Sequence, residues 1–203
     1  MKKRNKKIKL RYGENPNQEA YIISNENKSI FDFQISGKKL SYNNIIDVDS
    51  GLKCLHEFQE PTSIIIKHTN PCGVASARNI QTAFKKCYES DSKSAFGGII
   101  LLNRKVTLNL AKIIFNNFFE MVISPDFDKK ALELLKVKKN LILLKIPKYK
   151  KNKMTHRSTL FGDLYQSNDK DKIGKGFLKL VSENKTSTKA IDDLIFSLKV
   201  VKH

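Results

Sequence analysis

The chain has no tryptophan, three cysteines, four histidines, and 20 acidic side chains against 38 basic ones in 203 residues. Each shortage removes a class of protein. Cys54, Cys72 and Cys87 are odd in number and lack the spacing of a disulfide framework, which fits a reducing cytoplasm. No apolar run approaches the roughly 18–20 residues needed to cross a bilayer, so no membrane partner is expected. Residues 1–9 are basic, but no apolar core follows them as it would in a secretory signal. Neither of the glycine-rich phosphate loops, GxGxxG or GxxxxGK[ST], is present.

Zinc is excluded by the same kind of argument. Pro71-Cys72 is half of the deaminase signature, which requires H-x-E and a later P-C-x-x-C. Ala75 stands at the second cysteine position and His68 is not followed by x-Glu, so a tetrahedral site cannot be assembled. A Cys72 nucleophile is a weak reading, because a turn has packing reasons for a small residue.

Arginine is rare, and this bears on the net charge of +18. Clustered cations bind nucleic acid by releasing counterions from phosphates. The lysines here are instead scattered along the whole chain, and arginine is the residue that forks onto phosphates and bases. We therefore favour compositional drift toward Lys, Asn and Ile over a specific nucleic-acid surface. Net charge speaks to solubility and non-specific binding, not to fold.

What the sequence does hold is centred on Ile64-Ile65-Ile66-Lys67-His68-Thr69-Asn70-Pro71-Cys72-Gly73. Three consecutive isoleucines read as a buried strand that ends at two proton-transfer side chains and breaks at once. Such strands present chemistry at the carboxyl end of many α/β sheets. Successive strand residues face opposite ways, so Lys67 and His68 share a pocket only if the strand loses regularity there. The Asn70-Pro71 turn is the expected source of that irregularity. Histidine takes or gives a proton near neutrality, and a lysine beside it can stabilise an oxyanion. On these residues alone, the catalytic and structural readings weigh about equally.

The rest of the chain alternates between periods. Residues 10–18 form a polar loop in which Arg11 can fork onto a phosphate and Tyr12 offers a ring and a hydroxyl. A solvated loop fits those residues as well. Short strands are expected at 20–23 and 30–35, and a helix at 49–59 capped by Asp49 or Ser50. On that helix Leu52, Leu55 and Phe58 share a face, while Cys54 and His56 read as packing and surface residues. Helices follow at 77–89, 108–118 (capped by Thr107) and 126–135, with strands at 99–102, 120–124 and 141–146. Phe96-Gly97-Gly98 lets backbone or a flat ligand approach closely, although a bulge explains it too. Glu120 heads an apolar strand and is a candidate buried acid. This is the pattern of an α/β layer with partly parallel strands. Residues 147–157 read as a lysine-rich linker, followed by strands near 160–166 and 177–181 and an amphipathic helix at 189–201.

Several blocks, in order, carry a resemblance. They are Leu10-Arg11-Tyr12-Gly13-Glu14-Asn15-Pro16, Leu40-Ser41-Tyr42-Asn43-Asn44-Ile45, the Ile66 to Gly73 segment, and Ser94-Ala95-Phe96-Gly97-Gly98-Ile99-Ile100. Glu120-Met121-Val122-Ile123-Ser124-Pro125 and the stretch from Asp193-Leu194-Ile195-Phe196 to Lys202-His203 complete the set. Over nearly its whole length the sequence resembles the AICAR transformylase domain of the bacterial bifunctional purine biosynthesis enzymes.

The resemblance implies transfer of a formyl group from 10-formyltetrahydrofolate to the 5-amino group of AICAR, giving FAICAR and tetrahydrofolate. The fold it implies is α/β and cytidine-deaminase-like, a mixed sheet with flanking helices, zinc-free and here truncated. By the same resemblance His68 is the general base and Lys67 assists at the formyl oxygen or in proton delivery to the leaving nitrogen. Arg11 and Tyr12 hold the nucleotide, Asn44, Phe96, Gly97 and Gly98 line the site, and Glu120 contacts a substrate amide or amine. Members of the family are homodimers.

Two departures matter. Nothing here resembles the IMP cyclohydrolase domain that usually precedes, or the second half of the transformylase domain. The Gly162-Asp163-Leu164-Tyr165-Gln166 block also replaces what is usually a double glycine. The expected organisation is a substrate-binding loop and basic N-terminus (1–18), an α/β transformylase subdomain (19–147), and a linker, short strands and terminal helix leading to a missing subdomain (148–203). A chain of this kind needs its other half from elsewhere, or is an inert remnant. A basic nucleic-acid-binding module is the third reading and rests only on charge.

Overall fold

The computed structural model describes residues 6–24, 29–147, 154–169, 174–181 and 183–203. The first five residues of the basic N-terminus and positions 148–153 of the expected linker lie outside the described residues. The chain divides into two compact units, residues 1–147 with His203, and residues 148–202.

In the first unit Lys6–Lys9 (β1) pairs antiparallel with Tyr21–Ser24 (β2) across the 10–18 loop. The single strand expected at 30–35 is instead a 3-10 turn, Ile30–Phe33, followed by a short strand, Gln34–Ser36 (β3). The turn forms because Ser29 caps it and Asp32 bonds back to the Ser29 amide, a reciprocal box that favours helical over extended backbone.

The first long helix, Tyr42–Leu55 (α1), begins well before Asp49. Its cap is Ser41, whose hydroxyl accepts from the Asn44 amide while the Asn44 side chain accepts from the Ser41 amide. Thr62–Lys67 (β4), Asn70–Ser76 (β5), Ile80–Ser90 (α2), Ile99–Leu102 (β6), Leu108–Phe115 (α3), Met121–Ser124 (β7), Lys129–Lys136 (α4) and Ile142–Lys145 (β8) follow. They build a six-stranded mixed sheet in the order β3-β8-β7-β6-β4-β5. β6, β7 and β8 run parallel, and β4 is antiparallel to both β5 and β6.

Helices cover both faces, which is why Ile64, Ile65 and Ile66 are all fully buried and the strand reads as an unbroken apolar run. Ile65, Ile100, Val122 and Leu143 meet residues of α2, α3 and α4 in one core cluster. On the opposite face α1 presses close at Gly51, where an added Cβ would come within 2.5 Å of a Leu101 methyl.

A second close approach fixes the outer hairpin. A Cβ on Gly73 would stand 2.2 Å from the Cys87 carbonyl oxygen of α2. Gly73→Ala must therefore push β5 off the helix. The expected loss is about 1–3 kcal/mol of unfolding free energy, the usual range for overpacking, read from denaturant titrations of the whole chain. Wild-type stability in that variant would mean that the hairpin yields freely.

The second unit contains an antiparallel hairpin of Met154–Thr159 (β9) and Gly162–Ser167 (β10), a 3-10 turn at Lys175–Phe177, and the helix Thr188–Val201 (α5), capped by Ser187. β9 begins inside the expected linker. The expected strand at 177–181 is instead the end of the 3-10 turn and irregular backbone. None of the described residues of this unit is buried. Among the described residues no helix is long and apolar enough to cross a membrane.

Candidate functional site

β4 and β5 are joined by a two-residue turn, and its residues are His68 and Thr69. Both adopt left-handed backbone, with φ of 53° and 64°. Asn70 and Pro71, expected to make the break, are instead paired residues of β5, a strand at the sheet edge. Proline is tolerated there because an edge strand has a side that needs no ladder donor. The register shift opposite Ile65 and Ile66 accommodates it.

The irregularity at His68 has the expected consequence for its neighbour. Lys67 and His68 both line one cavity of about 150 Å3, together with Tyr12, Ser41, Asn43, Asn44, Asp47, Ile66, Gly97, Ile99 and Glu120. The cavity lies at the carboxyl end of β4. Because β4 runs antiparallel to β6, that end meets the amino ends of the parallel strands, where Ile66 pairs with Ile99 and Ile99 with Met121. The expectation of a carboxyl-end site holds for β4 and is reversed for β6 and β7.

Each polar wall has a structural reason. The 10–18 loop is pinned at its start, while residues 14–18 are exposed. Leu10 is buried, the Arg11 amide donates to the Leu40 carbonyl at 2.9 Å, and the Tyr42 amide donates to the Tyr12 carbonyl at 3.1 Å. Arg11 Nη2 donates to the Tyr12 hydroxyl at 2.8 Å. Asn44 spends its oxygen on the helix cap and turns its Nδ2 to Glu120 Oε1 at 3.1 Å. Lys38 Nζ lies 3.0 Å and Arg11 Nη2 3.7 Å from that same oxygen. Burial alone would raise the Glu120 carboxyl. Hydrogen bonds from Asn44 and Lys38 and the charges of Lys38 and Arg11 outweigh it and hold the group below the usual glutamate range.

Asp47 shows the opposite balance. Burial pushes its carboxyl up, offset in part by a hydrogen bond from the Thr69 amide and by the nearby His68, and Glu120 adds to the rise. Lys67 Nζ donates to the Phe96 carbonyl at 3.0 Å. Gly97, at φ 74°, reaches the cavity wall, and its amide donates to the Phe118 carbonyl.

The structure thus brings Tyr12, Asn44, Lys67, His68, Gly97 and Glu120 to one cavity. Arg11 stands one contact behind, through Tyr12 and Glu120. The Phe96 ring packs at 5.0 Å from that of Phe118 and is 62% exposed, so its carbonyl, not its ring, touches a site residue. Gly98 packs against Ile65 and the Ile66 backbone, where a Cβ would meet Ile65 at 2.8 Å.

Sequence reasoning missed Asp47 and Lys38. Asp47 sits one turn after Asn44 on α1, a spacing visible once the helix starts at Tyr42. Lys38 had no signal, because its placement depends on Gly37 at φ 94° and on Gln34 Nε2, which donates to the Lys38 carbonyl at 2.8 Å. Cys72 does not line the cavity, and burial lifts its thiol despite Lys67. Cys54 and Cys87 are buried thiols pushed up to about 12. Among the described residues no three His, Cys, Asp or Glu side chains are grouped to hold a metal ion.

Fold and cavity together define an α/β domain with a polar site built from a strained hairpin turn, one helix and two carboxylates. The family model described as AICARFT/IMPCHase bienzyme matches residues 1–203, and the chain belongs to that family. The chain is similar to the bifunctional purine biosynthesis protein PurH of Caldicellulosiruptor bescii, 48% identical over 202 residues covering 96% of this chain and 39% of the relative. The same-named protein of a Thermoanaerobacter species is 43% identical over 197 residues, with the same two shares. That of Lactobacillus acidophilus is 42% identical over 205 residues, 97% of this chain and 40% of the relative. The chain spans about two fifths of the length of the curated relatives it matches.

Proposed function

We propose that this chain supplies the acid–base part of an AICAR transformylase site in purine biosynthesis, acting in the cytoplasm with 10-formyltetrahydrofolate as formyl donor. The observation that carries the reading is that Lys67 and His68 open on the same cavity as Asn44 and Glu120. Together they offer a proton acceptor, a cation for a developing oxyanion and two groups that can hydrogen-bond a carboxamide.

In this mechanism the 5-amino nitrogen of AICAR attacks the formyl carbon while His68 accepts the amine proton. The Lys67 ammonium stabilises the oxyanion that develops on the formyl oxygen. The bond between the formyl carbon and folate N10 then breaks, N10 takes a proton, and FAICAR and tetrahydrofolate leave. Ionised Glu120 accepts from the carboxamide, and Arg11 with Tyr12 holds the nucleotide. A chain of net charge +18 also attracts both anionic substrates.

The second unit supports a shared site. Leu160 is 98% and Phe161 100% exposed at the tip of its hairpin, and large apolar side chains along α5 are also open. Such surface is suited to burial against a further part of the enzyme, of the kind present in the longer relatives, or against a second copy. The test is tetrahydrofolate formation from AICAR and 10-formyltetrahydrofolate. It is run on the chain alone and with the unmatched remainder of the Caldicellulosiruptor bescii protein added. Turnover in either arm supports the reading, and no turnover in both from folded protein overturns it.

A further inference from the structure

The hairpin that carries His68 is built from the wrong residues for its shape. Two-residue hairpin turns with both positions left-handed are normally Asn-Gly or similar, because a Cβ is strained at positive φ. Here the positions are histidine, which enters left-handed backbone more readily than most side chains, and the β-branched threonine, for which such backbone is a genuine outlier. Each such residue costs of order 1–3 kcal/mol and persists only where its surroundings over-determine it.

The surroundings come from α1. Asp47 Oδ1 accepts from the Thr69 amide at 2.7 Å, and Ser50 Oγ donates to the Thr69 carbonyl at 2.7 Å. Positions 47 and 50 are three apart and share one helix face. The His68 carbonyl is held from the other side by Thr69 Oγ1 at 2.6 Å and Asn70 Nδ2 at 2.9 Å. Both peptide planes of the turn are therefore tethered, and the orientation of His68 over the cavity follows from them.

We propose that Asp47, with Ser50, is a positioning residue: the pair clamps the left-handed turn and so aims His68 into the cavity. The inference rests on the transformylase reading for its catalytic consequence, and on geometry alone for the clamp. Asp47 acts through its oxygen as an acceptor. An asparagine, which keeps that oxygen, should serve nearly as well, and a glycine at position 69 should lessen the need for the clamp.

Two measurements on the full chain separate these claims. Amide hydrogen exchange at Thr69, followed by NMR, should be slow in wild type and Asp47→Asn and at least tenfold faster in Asp47→Ala. Ser50→Ala, a milder change that spares the buried carboxylate, should fall between. In the arm that supports transfer, Asp47→Ala should lower kcat roughly 10–100-fold, as expected for a misplaced catalytic group, with KM for AICAR within about threefold. Asp47→Asn should stay within about threefold of wild type, and Thr69→Gly in the Asp47→Ala background should restore most of the loss.

Thr69 exchange that does not differ among the variants overturns the clamp. Asp47→Asn as damaged as Asp47→Ala overturns it too, since the charge and not the acceptor would then matter. Failure of Thr69→Gly to rescue turnover would reduce Asp47 to a general stability role and overturn the positioning claim. No transfer by wild type, with exchange following the expected pattern, would defeat the transformylase reading and leave the clamp standing.

Discussion

His68→Ala should lower kcat for formyl transfer by roughly 10²–10⁴, the usual contribution of a positioned proton-transfer group, with a KM for AICAR within a few-fold of wild type. The argument is geometric. The imidazole is presented by a turn whose two peptide planes are tethered, and the cavity it faces is lined by the Lys67 side chain and the Glu120 carboxylate. An alanine at a left-handed position keeps most of the backbone strain, so folding should change little. The experiment is steady-state kinetics in whichever arm supports turnover, with a thermal melt to confirm folding. A kcat/KM within a few-fold of wild type would remove His68 from the role of base.

The fold was legible where periodicity and burial coincide. β4, β6, β7 and β8 are apolar runs because both of their faces are buried. α2 and α3 show helical spacing, with Thr107 legible as a cap and Asn79 capping α2, which starts three residues later than expected. Legibility failed where a side chain's role is set by partners distant in sequence. The start of α1 was hidden because the residue closing its capping box is Asn44 and not the usual Glu or Gln, and because Gly51 interrupts the apolar pattern. That glycine is explained only by the approach of Leu101 and Ile66.

The site was legible in its parts and not in its geometry. Lys67 and His68 read as chemistry at a strand end, but the residue types point to Asn70-Pro71 as the turn. His-Thr carries no hairpin signal, since neither is among the dominant turn residues and a β-branched threonine disfavours positive φ. A turn that breaks the local rule and is held by a helix far away in sequence is the pattern expected at a functional site. Asp47 and Lys38 were invisible for the same reason, as each acquires meaning only from Thr69 or Glu120. In the second unit the stretch 177–181 pairs with no strand among the described residues, and Phe177 is left 76% exposed.

Glu120→Gln should weaken AICAR binding by roughly 10–100-fold, the worth of one charge-assisted hydrogen bond, and should also lower stability at neutral pH. Glu120 Oε1 is shared by Asn44, Lys38 and Arg11, so its loss leaves two cations facing one half-buried point. The effect on pH dependence has a definite sign. Because the folded-state carboxyl of Glu120 lies below its usual range, its contribution is present above that range and is lost as pH falls through the folded value. Asp47 runs the other way. Its folded carboxyl is raised, so its contribution declines as pH rises from the usual aspartate range through the folded value. In wild type the two oppose each other across the acid range. Removing Glu120 should therefore flatten the acid loss of stability, and the difference between wild type and variant should shrink steadily on acidification. Denaturant unfolding of both proteins from pH 3 to pH 7 reads this directly. A difference that stays constant with pH would show that Glu120 acts there as a neutral group, and the paired cations of Arg11 and Lys38 would then need another counter-charge.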